Sequence, residues 1–254
     1  MYSKSAVAAI LLTSVAGVLG APAPAESQQS SQTATVSPPA ATPELSLTAR
    51  LTLADTAADR YALLPDDKQF VFDFNQEQKG AGKGGQLVAA NRKTFPALVG
   101  TGAGMAVGRV GPCGINTFHV HPRGAELQIV VKGSLVTEMT PENGVNNADG
   151  TRRVIKTTLK PFQMTPFPQG SVHVQFNDNC DETVFVAAFP SEDFGTGQVA
   201  DELFAAADDD LVAAVLGQSI DGAQVDKIRK AIPKSIAQGV DSCLKKCNIP
   251  KRSL

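Results

Sequence analysis

Beyond its N-terminal end the chain has no apolar run approaching the ~20 residues that a membrane-spanning helix requires. It has no Asn-X-Ser/Thr sequon, so no acceptor for N-glycosylation. Its charge imbalance is slight, −2 over 254 residues, which gives no electrostatic reason to expect a nucleic acid partner. Histidine is scarce: His119, His121 and His173 are the full complement. Cysteine is limited to Cys113, Cys180, Cys243 and Cys247. An even number in a secreted chain reads as disulfides rather than zinc ligands, with three pairings open.

The N-terminal end supplies the reason to expect secretion. A positive charge at Lys4 precedes the apolar stretch Ala6 to Leu19, which Thr13, Ser14 and Gly17 interrupt, and Gly-Ala-Pro-Ala-Pro-Ala follows. Charge, short apolar run and small residues in that order form a signal peptide over residues 1–20, with cleavage between 20 and 25. Residues 21–45 are rich in Ser, Gln, Thr, Ala and Pro and hold too little apolar area to offset the entropy of ordering. This leader is expected to be disordered, with a composition compatible with O-glycosylation. The remaining ~210 residues fit a single domain. The expected location is extracellular or cell wall, with no membrane contact once the signal is removed.

Short runs rich in β-branched residues, bounded by Gly and Pro, fill the middle of the chain. Strands are predicted at 70–72, 105–110, 116–121, 127–131, 134–139, 154–159, 162–167, 171–177 and 183–189. Lys132-Gly133 marks a tight hairpin, and Phe167-Pro168-Gln169-Gly170 suits a type I turn with Pro second and Gly fourth. Many short strands with regular turns argue for an all-β sandwich or barrel. After Pro190 apolar residues recur three and four apart, predicting helices at 198–207, 210–216, 223–232 and 235–246. The expected organisation is a barrel over 65–192 followed by a helical tail over 193–254.

All three histidines fall within the strands. His119 and His121 are two apart, so both side chains leave one face. Glu126 follows the Pro122-Arg123-Gly124-Ala125 turn, and His173 begins a later strand just after another turn. Three imidazoles and a carboxylate form a site suited to Mn(II), Fe(II) or Zn(II). The pattern Gly114-x4-His119-x-His121-x4-Glu126-x6-Gly133 resembles the first cupin motif, and Pro168-x-Gly170-x2-His173-x3-Asn177 resembles the second. His119-Val120-His121-Pro122-Arg123 and Phe167-Pro168-Gln169-Gly170 are similar to germins and spherulins in particular. The resemblance implies a single cupin jelly-roll barrel, Mn(II) as the usual metal, and His119, His121, Glu126 and His173 as its ligands.

Cys113 and Phe162 stand where the cupin motifs open with Gly, which puts turn geometry in question rather than the ligands. Oxalate-oxidising germins flank their substrate with two asparagines. Asn116 matches one of them, and the other position is Ala106. Gln175 lies two residues from His173 on the same strand face and is expected to orient a metal-bound water or ligand. The resemblance also implies that the His-x-His strand lies antiparallel to the strand of His173. Pairing Val120 with His173 then sets Cys113 opposite Cys180, within or near disulfide range. The expected bonds are therefore Cys113–Cys180 and Cys243–Cys247.

Three functional readings follow. The chain is a Mn oxidoreductase acting on a small carboxylate such as oxalate or on superoxide, a non-catalytic small-ligand cupin, or a metal-stapled storage, cell-wall or spore-coat protein as the spherulin resemblance allows. Strand alternation adds an expectation about assembly. His119, His121, Glu126, Gln128, His173 and Gln175 face inward, which leaves Phe118, Val120, Leu127, Ile129, Val131, Val172, Val174 and Phe176 outside. So many apolar side chains need a cover. Residues 45–53 and Leu63-Leu64 are one candidate; a second subunit, which the germin resemblance favours, is the other. A homo-oligomer, at least a dimer, is expected.

Overall fold

A computed structural model describes residues 44–251, apart from 79–80, 207 and 234–235. The expected signal peptide, and the leader up to residue 43, lie outside the described residues. Two short helices come first, α1 (Leu47–Leu53) and α2 (Ala57–Ala62). Thr56 and Asp59 close a capping box on α2, each satisfying a backbone donor of the first turn. Leu51 and Leu64 bury themselves against Val99.

The strands follow as β1 (Gly85–Ala90), β2 (Gly104–Val110), β3 (Gly114–Val120), β4 (Glu126–Lys132), β5 (Leu135–Thr140), β6 (Ile155–Leu159), β7 (Met164–Phe167), β8 (Val172–Phe176) and β9 (Thr183–Phe189). Two antiparallel sheets result. One has the order β1-β2-β9-β4-β7. The other runs β3-β8-β5-β6 and is extended beside β3 by β10 (Gly197–Gln198). From β2 to β9 the chain crosses from sheet to sheet at each strand except between β5 and β6, which form a hairpin, and this is jelly-roll order. Helices α3 (Val199–Ala206), α4 (Asp209–Val215) and α5 (Gly222–Ala231) come next, then strand β11 (Ala237–Gln238) and helix α6 (Asp241–Lys246). Asp208 and Asp221 cap α4 and α5 through their side chains.

Cross-strand pairing divides the interior into three layers. At one end Glu126 is level with Phe167, and His119, His173 and Met139 share a row on the facing sheet. Beneath lies a row of Thr165, Gln128, Ala187, Ala106 and Ala89, facing a row of Asn116, Gln175, Thr137 and Thr157. Beneath that, Val130, Phe185, Leu135 and Leu159 form an apolar plug with Val110 and Ile236. Gly108 is part of the plug's fit, because a Cβ there would run into the Phe185 ring.

Several expectations need correction. The strand predicted at 70–72 is instead the end of a 3-10 turn, Asp67–Phe70, leading to an aromatic cluster of Phe72, Phe74 and Phe95. The helix predicted at 235–246 begins only at Asp241, because Ala237 and Gln238 pair with Ile115 and Gly114 of β3. The turn after Phe167 is displaced by one residue. Ser171 N donates to Pro168 O at 3.0 Å, and Gly170 sits third with φ 77°, the type II arrangement.

The disulfides differ from those expected. Cys113 bonds Cys243 and Cys180 bonds Cys247, with Cα separations of 5.6 and 5.2 Å. A bulge between Asn116 and His119 breaks the β3–β8 register, so His173 pairs with His119 rather than with Val120. Ile115 then faces Phe176, and Cys113 falls short of Cys180. The expected partner of Cys247 fails for a separate reason. Residues four apart on a helix hold their Cβ atoms about 5–6 Å apart, whereas a disulfide needs about 3.8 Å. Cys243 and Cys247 instead present one face of α6 to the barrel. Cys113 and Phe162 both adopt left-handed backbone, φ 57° and 64°, so the turns keep the conformation that glycine would allow.

The eight apolar residues expected on one outer surface lie on two. Leu127, Ile129 and Val131 belong to the five-stranded sheet; Phe118, Val120, Val172, Val174 and Phe176 belong to the other. Val174 is buried, and Phe176 packs under Cys243 and Leu244 of α6.

Candidate metal centre

The side chains of His119, His121, Glu126 and His173 converge at one end of the barrel, and their ligand atoms all lie within 4.8 Å of one another. All four are buried. Three come from one sheet or its edge and Glu126 from the first residue of β4 on the other, so the cluster bridges the two layers. His121 Nε2 and His173 Nε2 stand 2.9 and 3.2 Å from Glu126 Oε2.

The outer nitrogens fix the chemistry. His119 Nδ1 lies 2.7 Å from Thr117 O, His121 Nδ1 2.6 Å from Gly195 O, and His173 Nδ1 2.9 Å from Ser171 O. A carbonyl oxygen only accepts, so each Nδ1 carries the proton and donates. In the neutral ring Nε2 is left with a lone pair toward the centre, the usual orientation of a metal-ligating histidine. Burial, reinforced by neighbouring His173, lowers the His119 pKa to about 3 and keeps that ring neutral. Burial opposes ionisation of Glu126, but its close contacts with His121 and His173 together outweigh it and hold the carboxyl at about 2. Three imidazole Nε2 atoms and one carboxylate therefore point inward, a donor set that fits Mn(II), Fe(II) or Zn(II).

Aromatic rings wall the centre. Phe167 stacks on His173 with centroids 4.2 Å apart, and Phe189 stands edge-on to His121 at 4.7 Å. Phe194 stacks on Phe189, and the loop carrying it supplies the Gly195 carbonyl. Arg123 pins that loop through Nε to Asp193 O at 2.6 Å. The three carbonyl acceptors escape sequence reading because any residue type carries one.

Asn116 and Gln175 come together: Asn116 Nδ2 donates to Gln175 Oε1 at 2.8 Å. Both are buried one layer below the histidines. Ala106 is buried on the opposite sheet in the same layer and brings no polar group there.

A jelly roll with this cluster at one end is what cupins have in common, and residues 74–222 match the family model described as Cupin. The chain belongs to the cupin family, on its germin- and spherulin-like branch. It is 37% identical to Spherulin-1A of Physarum polycephalum over 213 residues, covering 82% of this chain and 80% of that one. It is 34% identical to Germin-like protein 9-1 of Oryza sativa subsp. japonica over 147 residues, 57% of this chain and 56% of the relative. Among solved structures, oxalate oxidase in complex with the substrate analogue glycolate superposes with a TM-score of 0.57 at 21% identity, over 65% of this chain and 81% of the other.

Proposed function

We propose that this is a secreted cupin that holds Mn(II) through His119, His121, Glu126 and His173, and that it is an oxidoreductase acting on a small carboxylate, of the oxalate oxidase type, or on superoxide. The observation carrying the proposal is the convergence of three imidazole rings and an ionised carboxylate in a buried site. Bound manganese supplies Lewis acidity and one-electron chemistry. The protein's part is to hold the donors, exclude water with Phe167, Phe189 and Phe194, and orient an acid through the linked carboxamides of Asn116 and Gln175. Fe(II) or Zn(II) would fit the same donors.

Secretion is supported by the two disulfides, which leave no free cysteine. Among the described residues no helix is long and apolar enough to cross a membrane. Self-association, to at least a dimer, is supported by the apolar outer face of the five-stranded sheet.

Ala106 favours a second reading, a metal-stabilised structural or storage protein without turnover, because it brings no hydrogen-bonding side chain to its side of the chamber. Elemental analysis of secreted protein, then assays with oxalate and with superoxide, separates the two. Stoichiometric manganese with H2O2 released from oxalate, or with superoxide consumption, is the expected result. Metal whose chelation lowers the melting temperature, with no turnover in either assay, establishes the second reading. Protein that binds no divalent metal refutes both.

A further inference from the structure

The layer beneath the metal cluster contains a side chain that the fold does not account for. Gln128 is 0% exposed, and neither its Nε2 nor its Oε1 meets any hydrogen-bonding group of the protein. A buried amide without a partner is costly, and proteins keep such groups where a ligand or a functional role uses them. Gln128 follows Glu126 by two residues on β4, so it points into the barrel from about 7 Å further down the strand. Its neighbour Val130 belongs to the apolar plug, which closes the space below.

The side chains beside Gln128 in its own sheet are small. The pairs beside Gln128 in its own sheet are Thr165 on one side and Ala187, then Ala106, on the other. Two successive alanines in that row bring only methyl groups into the interior. The facing row brings Gln175, whose Oε1 accepts from Asn116 while its Nε2 has no protein partner. The layer thus offers two unused amide donors, Gln128 Nε2 and Gln175 Nε2, and one unused acceptor, Gln128 Oε1. Among the described residues, no cationic side chain appears in either row.

We infer that Gln128 is a ligand-positioning residue: together with Gln175 it grips a small carboxylate beside the metal, the small alanines at 106 and 187 leaving these amides as the polar groups that meet it. Two N–H donors suit carboxylate oxygens, and the free acceptor suits a hydroxyl or a water held with the acid. The inference rests on the metal-centre reading and narrows it by naming the residue on the far sheet that reads the ligand.

The test uses manganese-loaded full-length secreted protein and glycolate as the probe. Wild type, Gln128→Leu and Gln128→Met are compared by titration calorimetry, elemental analysis and thermal melting. The expected result is unchanged manganese content, with glycolate bound at least tenfold more weakly by both variants. The ligand-free variants should also melt at a higher temperature than wild type, because an unpaired amide is replaced by an apolar side chain of similar size. That rise sets a binding role apart from a structural one, which would lower the melting temperature. Variants that keep their metal and bind glycolate as wild type does overturn the inference. So does wild type that holds manganese but takes no glycolate, and so does loss of metal from both variants, which would make Gln128 a support of the ligand set. Wild type without metal removes the metal-centre reading and this inference together.

Discussion

Removing the His173 imidazole does more than delete one donor, because Phe167 stacks on that ring and Glu126 reaches toward it. His173→Ala or His119→Ala is expected to abolish metal retention, and Glu126→Gln to weaken it, as read by elemental analysis after dialysis. Full occupancy in His173→Ala would refute the ligand assignment. Phe162 gives a prediction of opposite sign. It is 81% exposed and held at φ 64°, a conformation costing a non-glycine residue about 1–2 kcal/mol. Glycine returns about 0.5–1 kcal/mol of that through its freer unfolded state. Phe162→Gly should therefore stabilise the fold by about 0.5 kcal/mol, seen as a higher urea midpoint. The convergence of the four cluster residues was legible because strand alternation and a Pro-Gly turn determine where their side chains go. Gln128 was legible as an inward residue, but its lack of a partner depends on Ala187 and Ala106, which are far away in sequence.

Helix α6 has its cysteines one turn apart and spends both on the barrel, one on the turn before β3 and one on the turn after β8. Peptide mapping of unreduced protein should recover Cys113–Cys243 and Cys180–Cys247, and a Cys113–Cys180 peptide would refute the arrangement. Cys180→Ser with Cys247→Ser should cost about 2–4 kcal/mol in denaturant unfolding while leaving metal content intact, since the cluster is at the other end of β3 and β8. The nine strands of the two main sheets were largely readable from their composition. Strand β1 was not, because Gly85-Gln86-Leu87-Val88-Ala89-Ala90 holds a single β-branched residue and gains its place by pairing along all of β2. The bulge in β3 was likewise invisible, and the cysteine partners changed with it.

At the scale of the whole molecule, the outer face of the five-stranded sheet is apolar from strand to strand. Met105 is 40% exposed, Leu127 45%, Val131 37% and Met164 57%, with Ile129 and Val186 between them. Helices α1 and α2 do not cover it: Leu51, Leu64 and Val99 bury one another instead. The expected cover is a second copy, giving a light-scattering mass of at least two chains at micromolar concentration. A mass of one chain rules this out. Ile129→Asp should split the assembly and spare the metal, because its side chain leaves the sheet on the side opposite Glu126. A charge at Val174 would not report on this interface, because that residue is buried on the other sheet.

The pairing of the cysteines also sets an order of events during synthesis. Cys243 and Cys247 are translated after every strand of the two main sheets, so neither bond can form until the barrel sequence has left the ribosome. Until then Cys113 and Cys180 lack the partners they have in the finished fold. The bulged register that keeps them apart is what spares the nascent chain a wrong bond, and a chain truncated after Gly239 should accumulate with both thiols open to alkylation.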